Sequence, residues 1–151
     1  MVKSASIYRY RRKGHLYIAP LSRTTDGLWL TEEPCIVLDE NCANHDLGDA
    51  VRTVLSVSRS GIPHPEDWRK VRDVVLETAG ITSWTTFARA ATCTGVKKEG
   101  RIVRFIPTVR VRSGGFEDLT DIVTTDGDSD ADRLGVAARR AILKSEDAAY
   151  Q

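Results

Sequence analysis

The chain has 151 residues, 41% of them hydrophobic and 28% charged, with 22 lysines and arginines against 21 aspartates and glutamates. That composition describes one ordinary globular domain, large enough to bury a core without disulfide staples, and its net charge of +1 argues against binding nucleic acid by bulk charge. No apolar run approaches the roughly 20 residues of a membrane span, the first residues lack the apolar core of a signal peptide, and a cytoplasmic address is expected.

Residues 5–12 predict a strand, with Tyr8 and Tyr10 on one face and Arg9 and Arg11 on the other. Lys13-Gly14 turns the chain, and His15 to Ala19 returns as a second strand ended by Pro20. After the Asp26-Gly27 turn, at least one of the apolar runs Leu28–Leu30 and Cys35–Leu38 forms a further strand. Leu47, Ala50, Val51, Val54, Leu55 and Ser58 then fall on one helical stripe. Asn44 or Asp46 is placed to cap this helix and Gly61 to end it. Each buried Leu or Val of the stripe is worth about 1.5–3 kcal/mol.

Next comes Gly61-Ile62-Pro63-His64-Pro65-Glu66-Asp67-Trp68. Pro65 suits a first helical turn, with acids placed to complement the helix dipole. Trp68, Val71, Val75 and Ala79 form the buried stripe of a helix that stops at Gly80. Ser83 caps a third helix carrying Trp84, Phe87, Ala88 and Ala91. Thr92 to Val96 and Arg101 to Arg112 predict strands, the second with alternating apolar and basic positions. Leu119 to Thr124 is a possible last strand. A final helix runs from about Asp130 to Lys144, with a frayed tail after Ser145.

The chain also repeats itself. At an offset of 87 residues, Pro20, Arg23, Gly27, Asp39, Leu47, Gly48, Ala50, Arg52 and Ser58 recur as Pro107, Arg110, Gly114, Asp126, Leu134, Gly135, Ala137, Arg139 and Ser145. These nine matches compare with about three expected by chance from ordinary residue usage. Residues 1–151 therefore read as a single domain, with related halves at about 9–58 and 96–145 and a helical insertion at about 62–91. The expected fold is α+β and two-layered: a mainly antiparallel sheet covered by the two repeat-related helices. Gly48 would cost a helix about 1 kcal/mol against Ala, so its recurrence as Gly135 points to a close approach, expected against the sheet.

No residue constellation carries catalysis. Asp126-Gly127-Asp128-Ser129-Asp130 lacks the Gly and the bidentate Glu that a calcium loop needs at its sixth and twelfth positions. His64, with Asp67 three residues on, is better read as a turn residue than as the base of an enzyme, since no nucleophile accompanies it. Cys35, Cys42 and Cys93 are odd in number and lack zinc spacing, which fits reduced thiols. No phosphate-cradling glycine loop occurs, and no cofactor or metal is expected. Charge is uneven: six bases and no acid from Lys3 to Arg23, seven acids and no base from Glu117 to Asp132. Basic strands interleaved with Tyr8 and Tyr10 leave a small nucleic-acid-binding protein as the alternative reading.

Several motifs together resemble the immunity proteins of bacterial contact-dependent growth inhibition systems. They are Tyr8-Arg9-Tyr10, Leu16-Tyr17-Ile18-Ala19-Pro20, Leu47-Gly48-x-Ala50, Ser58-Arg59-x-Gly61-Ile62-Pro63-His64-Pro65 with Asp67-Trp68, Ala79-Gly80-Ile81-x-Ser83-Trp84-x-x-Phe87 and Leu134-Gly135-x-Ala137. The resemblance covers nearly the whole chain and implies a non-enzymatic inhibitor. Its partner would be the toxic C-terminal domain of a delivered effector, in many systems a nuclease. A basic nuclease would be drawn to the acidic tract, which makes Glu117, Asp118, Asp121, Asp126, Asp128 and Asp130 the expected contact residues.

Overall fold

The structure, a computed structural model, describes residues 1–149. β1 (Val2–Tyr10) and β2 (His15–Thr24) form a hairpin whose turn uses Gly14 at φ 64°. β3 (Trp29–Thr31), β4 (Ile36–Asp39) and helix α1 (Asn44–Val57) follow. A short β5 (Ser60–Ile62) leads into the insertion, made of a 3₁₀ turn (Trp68–Lys70), α2 (Val74–Ala79) and α3 (Trp84–Arg89). The chain then runs through β6 (Ala91–Glu99), β7 (Ile102–Arg110), β8 (Phe116–Asp118), β9 (Val123–Asp126) and α4 (Ala131–Ala149). The strand order is β3-β2-β1-β6-β7-β8, with β4 and β5 beside β2 and β9 beside β7. Among the described residues only the β2–β5 pairing is parallel.

Adding 87 to the first residue of β2, β3, β4 and α1 lands on the first residue of β7, β8, β9 and α4. The β6–β7 hairpin turn is two residues shorter than that of β1–β2, so β1 maps onto β6 at an interval of 89. In this antiparallel pair at the centre of the sheet, Ser6 faces Gly95, its own counterpart. A local two-fold axis therefore passes through this pair. Pro20 does not end β2 as expected; the strand continues to Thr24. The physical reason is a change of neighbour. β4 pairs with His15–Ile18 and β3 with Leu21–Arg23, so the missing N–H of Pro20 falls where one partner strand gives way to the next. Pro107 sits in the same gap between β9, on Ile102–Phe105, and β8, on Thr108–Arg110.

The two glycines approach not the sheet but each other's helix. A Cβ on Gly48 would stand 1.8 Å from the backbone oxygen of Ala131, and one on Gly135 would stand 1.8 Å from that of Asn44. Asn44 and Ala131 are themselves 87 residues apart, so α1 and α4 cross backbone to backbone about the same axis. Only glycine permits that distance. The crossing packs Leu47, Ala50, Val51, Leu134, Ala137 and Ala138 over Ile7, Leu16, Ile18, Val96, Val103 and Phe105. This core lies on the face of the sheet that β1 fills with Ala5 and Ile7. The opposite face, carrying Tyr10, Tyr17 and Ala19, is covered by α2 and α3 through Val75, Leu76, Ala79 and Phe87.

Ser58, at the C-cap of α1, and its counterpart Ser145, within α4, are both hydrogen-bonded to the sheet. Ser58 Oγ accepts from the amide of Ser4 (2.9 Å) and donates to the carbonyl of Leu21 (2.6 Å). Ser145 Oγ accepts from the amide of Thr108, the counterpart of Leu21, at 3.1 Å and donates to the carbonyl of Cys93 at 3.1 Å. Both serines are almost fully buried, where an unmade hydrogen bond is expensive.

Several boundaries differ from the sequence expectation. α1 has Ala43 at its N-cap without a side-chain cap bond, and it stops at Val57 because Ser58 turns into the sheet, three residues before Gly61. The helix expected across Trp68–Ala79 is broken. Val71 is extended, Asp73 starts α2 by accepting from the Leu76 amide, and Trp68 and Val71 are exposed rather than buried. The last strand is Val123–Asp126, and β8 lies where no strand was expected. α4 does not fray at Ser145; it runs on to Ala149, held by an ion pair from Glu146 to Arg9.

Candidate functional site

The six acidic residues expected at an interface do not form one field. Asp118 faces Thr108 on β7 while Asp126 faces Ile102, which separates the two groups by roughly 20 Å of strand. Within the β9–α4 turn, Arg101 reaches Asp126 (3.5 Å) and Asp128 (3.3 Å). Asp130 caps α4, its carboxylate accepting from the Arg133 amide at 2.9 Å. Asp121 is paired with Lys144. Glu117 and Asp118, on the edge strand β8, are exposed and have no ion-pair partner among the described residues.

The basic strands are likewise partly neutralised. Arg9 on β1 reaches Glu40 (3.0 Å) and Glu146, and Arg104 lies 3.9 Å from Glu99. Of the two tyrosines read as base-stacking platforms, Tyr10 is buried and Tyr8 half-buried. Tyr10 is 3% exposed, and Tyr8 packs edge-on against Trp84, Phe87 and Phe116 at 5.5–6.1 Å. These edge-on contacts tie α3 to the sheet.

His64 does not pair with Asp67, which turns to Arg69 instead. Its Nδ1 lies 2.9 Å from Thr24 Oγ1 and its Nε2 lies 3.7 Å from Asp26. The order Thr–His–Asp resembles a hydrolase triad, but Thr24 is 3% exposed and its hydroxyl oxygen accepts from the Leu28 amide. A nucleophile sealed from substrate cannot attack it. The contact pins Pro63-His64-Pro65 to the end of β2. Burial pushes the Cys93 thiol up to about 12 and raises that of Cys35 as well, so neither is a thiolate near neutral pH. Among the described residues no three His, Cys, Asp or Glu side chains gather to hold a metal, and no helix is long and apolar enough to cross a membrane.

Two arginines that do hold the fold were visible in the sequence only as repeat matches. Arg139 on α4 donates to the carbonyls of Glu40 (2.9 Å) and Cys42 (2.7 Å) and to the side chain of Asn44 (3.0 Å), locking the loop that precedes α1. Arg52 on α1 reaches the carbonyl of Ser129 in the loop that precedes α4. Ser129 is the counterpart of Cys42. Each helix thus clamps the entry to the other. Sequence reasoning saw Arg110 and Arg112 only as basic positions of a strand and passed over Arg89. These exposed side chains line one concave surface with Ser113 and Gly114, and none has an ion-pair partner among the described residues.

The architecture has relatives among solved structures. A protein of unknown function from Neisseria meningitidis superposes with a TM-score of 0.79 at 15% identity, over 95% of each chain. A chain of the CdiA-CT/CdiI toxin and immunity complex of Yersinia pseudotuberculosis superposes with a TM-score of 0.76 at 13% identity, over 96% of this chain and 97% of that one. No curated protein matches the sequence. The family description of CdiI, the CDI immunity protein, matches residues 3–145. With the match spanning both halves and the insertion between them, the chain belongs to the CDI immunity proteins.

Proposed function

We propose that this protein binds the toxic C-terminal domain of its cognate contact-dependent growth inhibition effector and blocks it, without chemistry of its own. The observation that carries the reading is the family match across residues 3–145. It is supported by a similar fold in a toxin and immunity complex. The surfaces fit a binder. His64 and Thr24 serve packing, and burial raises the thiols of Cys93 and Cys35. We further propose that the two halves are repeats of one unit, that the protein works in the cytoplasm, and that the toxin is a nuclease. Protection against a delivered toxin requires nanomolar or tighter affinity and a fast, electrostatically steered encounter.

In this reading the acidic contact narrows to Glu117 and Asp118, because the other four expected contact residues, Asp121, Asp126, Asp128 and Asp130, already serve Arg101, Lys144 or the α4 cap. The test is co-purification with the C-terminal domain of the effector encoded beside it, followed by protection of cells that express that domain. A stable complex and restored growth are expected. A toxin domain that neither binds nor loses activity overturns the proposal. Nuclease chemistry is read separately, from RNA or DNA cleavage by the toxin domain alone.

A further inference from the structure

The local two-fold axis makes each end of the sheet a control for the other, and the two ends are not filled alike. At the end where β1 finishes, the space between sheet and helices holds Arg9, Glu40 and Glu146, with Arg9 bonded to both carboxylates. At the related end the place of Arg9, which faces Leu16, is taken by Lys98, which faces Val103, and that of Glu40 by Gly127. The position of Glu146 corresponds to Arg59, which lies past the end of α1 and turns to Glu32, so among the described residues no carboxylate takes its place. The result is a cavity of about 400 Å³. Its floor is apolar, built from Leu55, Val103 and Leu134, and Lys3, Arg52 and Lys98 reach over it.

The electrostatics are unbalanced in the same sense. Lys3 donates to the carbonyl of Ser58 (2.9 Å) and Arg52 to that of Ser129, so both keep their full charge. Lys98 is half-buried and has no hydrogen bond or ion pair among the described residues. The one acid at the rim, Asp128, is already held by Arg101 at 3.3 Å. The filled end contains two carboxylates that the open end lacks, while positive charge is present at both. Lys3 and Lys98, half-buried over an apolar floor, favour an anion far more than the same cations in bulk water, and the exposed Arg52 adds its charge at the rim.

We propose that this cavity is the docking site for an acidic segment of the protein partner, a Glu or Asp side chain carried next to an apolar one. The occupant is identified by the related end, where the space is taken by polypeptide carboxylates rather than by a small ion. An apolar neighbour would cover Leu55, Val103 and Leu134, and the carboxylate would reach Lys98 and Arg52. The proposal rests on the reading of the protein as a toxin-binding immunity protein for the identity of that partner, but the site can be tested without the toxin.

The first experiment follows backbone amide shifts of the isotope-labelled full chain during titration with the peptide acetyl-Glu-Leu-Glu-amide. Saturable shifts at Arg52, Lys98 and Gly127 are expected, absent with acetyl-Gln-Leu-Gln-amide and absent in Lys98→Glu. No shift at these residues, or equal shifts with the glutamine peptide, overturns the site. Equal shifts with inorganic phosphate reduce it to a bare anion site and overturn the assignment to an acidic segment. The second experiment measures affinity for the toxin domain. Lys98→Glu and Arg52→Glu should each weaken it by about tenfold or more at low salt, whereas Arg104→Glu, outside the cavity, should change it little. A complex that ignores both cavity variants removes the toxin as the occupant while leaving the immunity reading intact. A toxin domain that does not bind the native chain removes that reading and the toxin as occupant, and the peptide titration still decides the site.

Discussion

Replacing Gly48 by alanine tests the helix crossing directly. The added methyl would stand 1.8 Å from the oxygen of Ala131 and 2.6 Å from its carbonyl carbon. Ordinary carbon–oxygen contact needs about 3.3 Å, so α1 and α4 must part by roughly 1.5 Å. The obstacle is backbone, with no rotamer to yield. A gap of even 0.5–1 Å forfeits about a quarter to a half of each dispersion contact across it, and the packing around Leu47, Val51, Leu134 and Ala138 would pay along its length. Overpacking commonly costs about 1–3 kcal/mol; with rigid backbone on one side we set this case at about 3–5 kcal/mol. Alanine returns about 1 kcal/mol through helix propensity. The net expectation is a loss of about 2–4 kcal/mol, a fall in Tm of roughly 5–15 °C for a chain of this size.

Urea unfolding followed by far-UV circular dichroism reads this difference. Gly135→Ala should cost a similar amount, since it meets Asn44 as Gly48 meets Ala131. The double variant should lose less than the sum, because helices already separated by one methyl have room for the other. Thr53→Ala, on the exposed side of α1, is the control and should stay within about 0.5 kcal/mol. Stability unchanged or raised in Gly48→Ala would show that the helices do not cross at this distance and would remove the physical account of the recurring glycine.

Phe87→Ala should cost about 3–5 kcal/mol in the same assay, because this fully buried ring touches Tyr8, Tyr10, Tyr17 and Trp84; a loss below about 1 kcal/mol would mean that α3 is not fastened through it. Cys93, 7% exposed and with its thiol pushed up to about 12 by burial, should resist a disulfide reagent at pH 8 in the native protein and react once unfolded, as followed by mass spectrometry of labelled peptides. The Arg59 guanidinium hydrogen-bonded to Glu32 holds that carboxyl below its ordinary value of 4.5, so its contribution is present above pH 4.5 and lost as pH falls through the lowered folded value. The stability difference between the native chain and Glu32→Gln should therefore shrink below pH 4.5, and a difference that grows on acidification would contradict the sign.

How much of this was legible in the sequence depended on whether a signal was local. The stripe of Leu47 to Ser58, the Ser83 cap and the alternation along Val103 to Val111 each express one element's own packing, and those elements formed. Pro20 misled because its missing N–H is harmless only where β4 hands over to β3, a fact about neighbours that no window around Pro20 contains. Trp68 and Val71 fit a helical stripe by spacing, yet the carboxylate of Asp73 offered the backbone a closer cap and started the helix later. The recurring glycines announced a close approach but not its partner. The acidic tract was read as one surface because its members are adjacent in the chain, whereas β7 runs between its two groups and Arg101 and Lys144 neutralise part of it.

The repeat also locates where specificity toward a partner must reside. Features shared by both halves, such as the glycine crossing, the arginine clamps and the buried serines, maintain the scaffold and cannot distinguish one end of the molecule from the other. Discrimination needs what breaks the symmetry. Three such breaks stand out: the insertion over Tyr10 and Tyr17, the exposed arginines at 89, 110 and 112, and the exchange of Arg9, Glu40 and Glu146 for Lys98, Gly127 and open space. The first is spent on burying Phe87 and Val75. The other two leave positive charge without internal partners, while the acids of Glu117–Asp132 are largely engaged. A partner selected by the free charge of this surface would thus present acidic groups to it, with Glu117 and Asp118 answering a basic contact at the β8 edge.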